Sequence, residues 1–494
     1  MKKINLLAIF LIFVIVGIFV FEDLIQFKYL QEFDPYYFYA ISDYIVQNGF
    51  VPLKKDPFFF NKKFTYPPLL VTLISSLSLI SNLDVYYIIK FGSLFLFVLT
   101  GLLIFVFSRN FFHDDLKAIF SVLIFLFLPY SLSKSTITLS ENLLIVFEIF
   151  LMFLSLRMNE EKNFALFLII LFITFMTHTF AFVFFVPILS FSFFYNIKKF
   201  RIFKKNKYYF AYFLLFLFFV SLYLYDKLDY LLFYYLKNAF PWWSDKGLLS
   251  NLHNLFEFPK FKDLTTHYTF LFSFLFILSF IYTLINFKKD KNSVLVIFCL
   301  ISFVLISFNS VNSWRFYYFF GIPLSLVVSN YFVILIKDYK KFFVVIVFLF
   351  VTISLPLIFD WHYNNWLTES EVEGAIFLRN VSSKDSLVIT QKSMEYLLMP
   401  FLKREILSLS LNNSISKNSL PDYISKISIS IKKDYPNKEQ YIFVSKDKMN
   451  SKKILSAEHL KFNSWIGLNL TDLCLKNKCS IIMENENISI YRIN

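Results

Sequence analysis

Residues 32–50 read EFDPYYFYAISDYIVQNGF. They follow INLLAIFLIFVIVGIFVF (4–21), 18 residues without a charge and long enough to cross the hydrocarbon core. Asp34-Pro35 is a helix start, with the acid as cap and proline at the first helical position. The aromatics that follow suit a helix lying at headgroup depth. An acid at such a place is either only a cap or a functional carboxylate, and the choice between these readings depends on what surrounds it.

Composition settles the class. Of 494 residues, 57% are hydrophobic and 17% charged, with 70 Phe and 8 Gly, an apolar load that marks a membrane protein. Residues 4–21 lack a small-residue cleavage site and are followed by further apolar runs, so they read as a retained first transmembrane helix and not as a signal peptide. The net charge of +14 has a topological explanation and no nucleic-acid motif accompanies it, so nucleic acid is not an expected partner.

Apolar runs predict about eleven spans, near 4–21, 85–107, 117–131, 142–157, 164–178, 180–195, 208–225, 268–286, 293–308, 316–336 and 342–359. With Lys2 and Lys3 inside, alternation puts FSRNFFHDDLK, RMNEEK, NIKKFRIFKKNK, NFKKDK and KDYKK on the cytoplasmic face. All the short, strongly basic loops then share one side, as the positive-inside rule requires. The expected fold is mainly α: a polytopic helix bundle over 1–360, with a structured outer loop at 22–84, and a small extracytoplasmic α/β domain over 361–494. Within 22–84, helices are expected near 34–48 and 67–81, the second too short and too close to the next span to cross alone. The tail alternates strand-like runs (SLVIT, QYIFVS, SIIM, ISIYRI) with helical stretches such as SMEYLLMPFLKR. Asn380, Asn412, Asn469 and Asn487 begin N-x-S/T sequons there, and CLKNKC places Cys474 and Cys479 where a disulfide can form outside the cytoplasm. Cys299, inside a span, reads as core packing.

Several polar residues fall at outer span ends. Glu141, in TITLSENLLIVF, opens the fourth span, either as a dipole partner or as a second site acid. Two carboxylates there can hold a divalent cation, such as Mg2+ or Mn2+, or act as a general base. His178 in MTHTFAF is either a satisfied junction residue or a contact to phosphate or sugar. Arg315 in SWRFYY is either an interfacial snorkelling residue or a phosphate ligand. Trp242 and Trp243 in AFPWWSDKG read as interface anchors or as a platform for a sugar or lipid tail, and Asp360 and His362 as linker or site residues.

The order of DPYYFYAISDYIVQNGF, TYPPLLVTLISSL, FSRNFF, LPYSLSKSTITLSEN and WRFYYFFGIPLSLV resembles the GT-C superfamily of membrane glycosyltransferases, and within it the catalytic subunit of oligosaccharyltransferase. The likeness covers the first 160 residues in order, with weaker echoes at 312–335 and in the tail. It implies a polyprenyl(dolichyl)-phosphate-linked sugar donor in the outer leaflet. It makes Asp34 the catalytic carboxylate or a metal ligand, Glu141 the second-loop acid and Arg315 the contact to donor phosphate. Where that family carries WWDYG, this chain has QKSMEYLL, which puts transfer to a peptide sequon in doubt. The expected activity is therefore sugar transfer to a glycan, lipid or protein acceptor at the outer face of the cell membrane, with the N-terminus cytoplasmic. The alternatives are an oligosaccharyltransferase-like protein glycosylation enzyme and a non-catalytic envelope-assembly protein with the same fold. A transporter would place its polar residues at mid-membrane in broken helices, unlike the pattern here.

Overall fold

The computed structural model describes residues 10–196, 261–337, 367–409, 420–446 and 479–493, apart from short breaks. The expected spans at 208–225 and 342–359, the loop after Asn196, and Trp242, Trp243, Asp360, His362, Asn412, Asn469 and Cys474 lie outside the described residues. The chain divides into two compact units, 1–26 with 66–70 and 90–363, and 27–65 with 71–89 and 364–494. The division expected at residue 360 follows chain order; the observed one takes most of the 22–84 loop out of the helical module and groups it with the tail.

Before residue 200 the helices include α1 Asp34–Asn48, α2 Leu69–Ser81, α3 Val85–Phe112, α4 Asp115–Phe127, α5 Pro129–Ser135, α6 Ser140–Ser155, α7 Glu161–Phe175 and α8 Ala181–Asn196. Then come α9 Phe261–Ile285, α10 Asp290–Ser307 and α11 Ser313–Lys337. Among the described residues, Val85–Phe112 and Tyr317–Ile334 are long and apolar enough to cross a membrane, and Leu69–Ser81, Lys162–Phe175, Phe272–Ile285 and Lys291–Val304 are shorter apolar helices. The count of eleven spans is not established by these residues.

The first unit is a helical bundle. Its core is aromatic: Phe276 meets Phe320 edge-on at 5.2 Å and Phe191 meets Phe298 at 5.5 Å. Most of its buried hydroxyls are satisfied inside their own helix. Ser302 donates to the Phe298 carbonyl and Thr283 to that of Ser279, the usual solution where no water is at hand. Other polar contacts among the described residues cross between helices. Ser121 of α4 meets Ser329 of α11 at 2.8 Å, and Lys117 donates to Asn330 at 2.7 Å.

One expected span is interrupted. The run 117–131 is two helices, because Leu128 precedes Pro129 and takes an extended conformation (φ −62°, ψ 128°). The proline ring excludes the α region for the residue before it. Asp114 caps α4 through the Leu116 and Lys117 amides, and Pro129 opens α5. This break re-aims the chain just before the Lys134–Glu141 corner.

The second unit contains α1, most of α2, and the tail. The tail adds α12 Glu369–Val381, α13 Glu395–Leu402 and α14 Leu420–Asp434, with β1 Leu387–Gln391, β2 Glu405–Leu409, β3 Gln440–Ser445, β4 Cys479–Glu484 and β5 Ile488–Ile493. The sheet order is β2-β1-β3-β5-β4; β1 runs parallel to β2 and β3, and β5 antiparallel to β3 and β4. Central β1 and β3 are buried along their whole length, as strands covered on both faces must be. Helix α12 starts in a capping box, Thr368 with Glu371. Gly374 lets it approach the sheet: a Cβ there would stand 2.2 Å from the Ile488 methyl.

Helix α1 begins at Asp34 and ends where Gly49, at φ +76°, donates to the Ile45 carbonyl, a left-handed stop. It crosses α2 through Ser75, whose hydroxyl reaches the Ser42 carbonyl at 3.1 Å. Residues 58–60 add a short parallel bridge to the edge of β2: Ile406 N–H donates to Phe58 O at 2.7 Å and Phe60 N–H to Ile406 O at 3.1 Å. Lys55–Glu405 (2.7 Å) and Lys403–Asp43 (2.6 Å) join the same segments by charge. Cys479 is disulfide-bonded and Cys299 is free and buried.

Candidate active site

In the first unit, a group of polar side chains is buried where α5 ends and α6 begins: Lys134, Thr136, Ser140, Glu141 and Asn142, with His178 beyond the end of α7. The corner is built locally. Asn142 donates both amide hydrogens to main-chain carbonyls, of Lys134 at 3.0 Å and of Ile137 at 2.8 Å, which pins the C-terminal end of α5 to the first turn of α6. Glu141 is in that first turn, where the helix dipole favours a negative charge. Ser140 Oγ lies 3.4 Å from Glu141 Oε2.

His178 arrives from α7. That helix closes in tight turns, Met176 N–H to Ile173 O and Thr177 N–H to Thr174 O, which carry the chain off the helix at His178. Its Nε2 stands 3.6 Å from Glu141 Oε1, and both side chains are buried. The pair is an ion pair when the imidazole is protonated. A charged pair taken out of water in this way is unusual unless paired or put to use. Tyr318 of α11 is buried within electrostatic range of Glu141. The α11 backbone places Arg315 one turn before Tyr318.

The structure thus brings together Glu141 and His178, and sets the helix carrying Arg315 within range of Glu141. Asp34 belongs to the other unit, as the partly buried first residue of α1. Behind it the aromatics form the buried face of α1. Tyr37 donates to Asp56 at 2.6 Å and packs on Phe59 and Tyr396 of α13. Asp56 also accepts from the Phe58 and Phe59 amides at 2.9 and 3.0 Å, so this acid holds a turn. Sequence reading did not single out Lys134, Asn142 or Tyr318. Lys134 had one available signal, as the lone cation of the loop LSKSTITLSEN. The other two had none.

Among the described residues, no group of three His, Cys, Asp or Glu side chains is placed to hold a metal ion. Glu141 and His178 are two metal-capable donors facing each other, and no step is derived through a metal.

No protein-family model and no curated relative matches the sequence. Solved structures do share the fold. The archaeal oligosaccharyltransferase AglB from Archaeoglobus fulgidus, in complex with an inhibitory peptide and a dolichol-phosphate, superposes with a TM-score of 0.62 over 100% of this chain and 74% of that one, at 12% identity. The A. fulgidus oligosaccharyltransferase tethered to an acceptor peptide with an NVT sequon gives 0.60 over 96% and 72%, also at 12%. ArnT from Cupriavidus metallidurans, bound to undecaprenyl phosphate, gives 0.54 over 98% of both chains, at 11%. Both are GT-C glycosyltransferases. This chain therefore shares its fold with these membrane proteins. Identities this low establish the fold and nothing finer.

Proposed function

We propose that this chain is a GT-C-type membrane glycosyltransferase that moves a sugar from a polyprenyl(dolichyl)-phosphate-linked donor to a glycan, lipid or protein acceptor at the outer membrane face. The observation that carries the reading is the buried Glu141–His178 pair at the head of α6, inside a fold shared with AglB and ArnT. Both neighbours were solved with a polyprenyl-type phosphate, which supports a lipid-phosphate donor here.

The chemistry asked of the residues is limited. An acceptor hydroxyl or amide attacks the anomeric carbon, the bond from that carbon to the phosphate oxygen breaks, and the acceptor proton passes to a carboxylate. We assign the carboxylate to Asp34, on its motif position. The departing phosphate needs a cation, and an arginine fork suits it better than an ammonium, so Arg315 is the assigned phosphate ligand. A protonated His178, held by Glu141, would add a second donor. Trp242 and Trp243 keep their proposed role beside sugar or lipid. The Mg2+ or Mn2+ expectation, with Asp34 and Glu141 as ligands, is separable from the rest and is decided by assaying transfer with and without chelator.

The test is transfer from a polyprenyl-phosphate sugar into a membrane acceptor. Asp34→Asn preserves volume and capping, so the protein should fold and lose about a hundredfold or more in rate. Arg315→Lys should impair transfer and Arg315→Ala more so. Full transfer by a well-folded Asp34→Asn protein would leave Asp34 a helix cap and return the envelope-assembly reading.

A further inference from the structure

Asn142 has a constrained amide. Both hydrogens of its Nδ2 are spent on the carbonyls of Lys134 and Ile137, so the amide cannot be turned over without setting Oδ1 against two carbonyl oxygens. Its Oδ1 is thereby fixed as an acceptor. The residue is 1% exposed, and among the described residues that oxygen has no hydrogen-bond partner. A buried acceptor left in this state is costly, and native proteins rarely keep one without a use. Its neighbour in sequence, Glu141, also presents only acceptor oxygens when ionised.

This chemistry selects a ligand. A phosphate diester has oxygens and no hydrogen to give, so it gains nothing from an amide oxygen next to a carboxylate. A sugar ring offers hydroxyl or N–H donors. We propose that Asn142 is a sugar-recognising residue, its Oδ1 accepting a hydrogen bond from one hydroxyl or N–H of the donor sugar at the α5–α6 corner; this rests on the glycosyltransferase reading above and adds the part of the donor that is read there. The site discriminates by what is missing: a sugar lacking that donor leaves Oδ1 buried and unsatisfied.

The experiment uses the full-length protein in detergent and a set of polyprenyl-phosphate hexoses, their monodeoxy counterparts and bare polyprenyl phosphate, with binding and transfer measured in parallel. One deoxy position should weaken binding to the wild type about tenfold. Asn142→Ala should bind the parent donor that much more weakly and lose nothing further with the same deoxy sugar. Equal binding of every deoxy sugar by the wild type would mean that the oxygen meets only water, and would overturn the inference. So would an Asn142→Ala protein that still discriminates. The wild-type series decides by itself where Asn142→Ala does not fold. Transfer that is indifferent to every hydroxyl sinks the inference and leaves the proposed function standing. Hydroxyl-dependent binding without transfer does the reverse.

Discussion

The two units of this chain handle polar groups in opposite ways. In the helical bundle, a buried hydroxyl generally turns to a carbonyl of its own helix, as Ser302 and Thr283 do. In the second unit, charged side chains reach across the sequence: Lys55 to Glu405, 350 residues apart, and Lys403 to Asp43, 360 apart. Lys28 to Glu369 is a third such pair. An ion pair on a partly solvated surface is ordinary and contributes little. A buried acid–histidine pair in an apolar bundle is not ordinary, because the surroundings give no cheap solvation. The same contact type therefore carries different information in the two places, and Glu141–His178 is the pair on which the proposed function rests.

That contrast can be broken by experiment. The largest effect is expected in the bundle. Glu141→Gln keeps shape and hydrogen bonding but removes the charge facing His178; transfer should fall about a hundredfold while thermal unfolding shifts little. A large loss of stability with activity retained would make the pair structural, like those of the second unit.

Stability should respond next, and in the second unit. Gly374→Ala places a methyl 2.2 Å from Ile488 and 3.3 Å from the Phe443 ring. Overpacking of this kind costs about 1–3 kcal/mol, read by denaturant unfolding of the second unit, with helical-bundle melting unaltered. An unchanged midpoint would show that α12 can lift off the sheet freely.

Acid should loosen the second unit. Burial alone would raise the Glu405 carboxyl, but hydrogen bonds from Lys438 and Lys55 outweigh it and hold the group below its usual value of 4.5. A depressed folded-state value means that the stabilisation is full above the unfolded carboxylate range and is lost as pH falls through the folded one. Proteolysis of the tail should therefore rise below about pH 4. Glu405→Gln should flatten that rise; an unaltered acid profile would remove Glu405 from the account.

The smallest effect belongs to a single surface pair. Lys55→Met should cost no more than about 1 kcal/mol, since its side chain is 58% exposed. A larger loss would mean that the 58–60 bridge to β2 depends on it.

Local structure was legible in the sequence because it is made of local forces. Asp34-Pro35 started α1 where it was expected, and apolar runs marked α3, α6, α7 and α11 to within a few residues. Short strand-like runs gave β1, β3, β4 and β5; β2, EILSL, followed directly on a helix with no turn signal and was missed. Proline rules contained the break at Leu128, which a hydropathy window runs straight through. Glu141 and His178 were each visible as polar residues at span ends. Their pairing was not, because 37 positions of chain separate them (178 − 141) and no pattern along the sequence encodes which helix ends meet. The fixed amide of Asn142, the burial of Lys134 and the bridge from Phe59 to Ile406 are of the same kind. A helix closes its bonds within four residues, so sequence alone determines it; which distant groups lose their water together is decided only when the helices pack, and in this protein the candidate site consists of such groups.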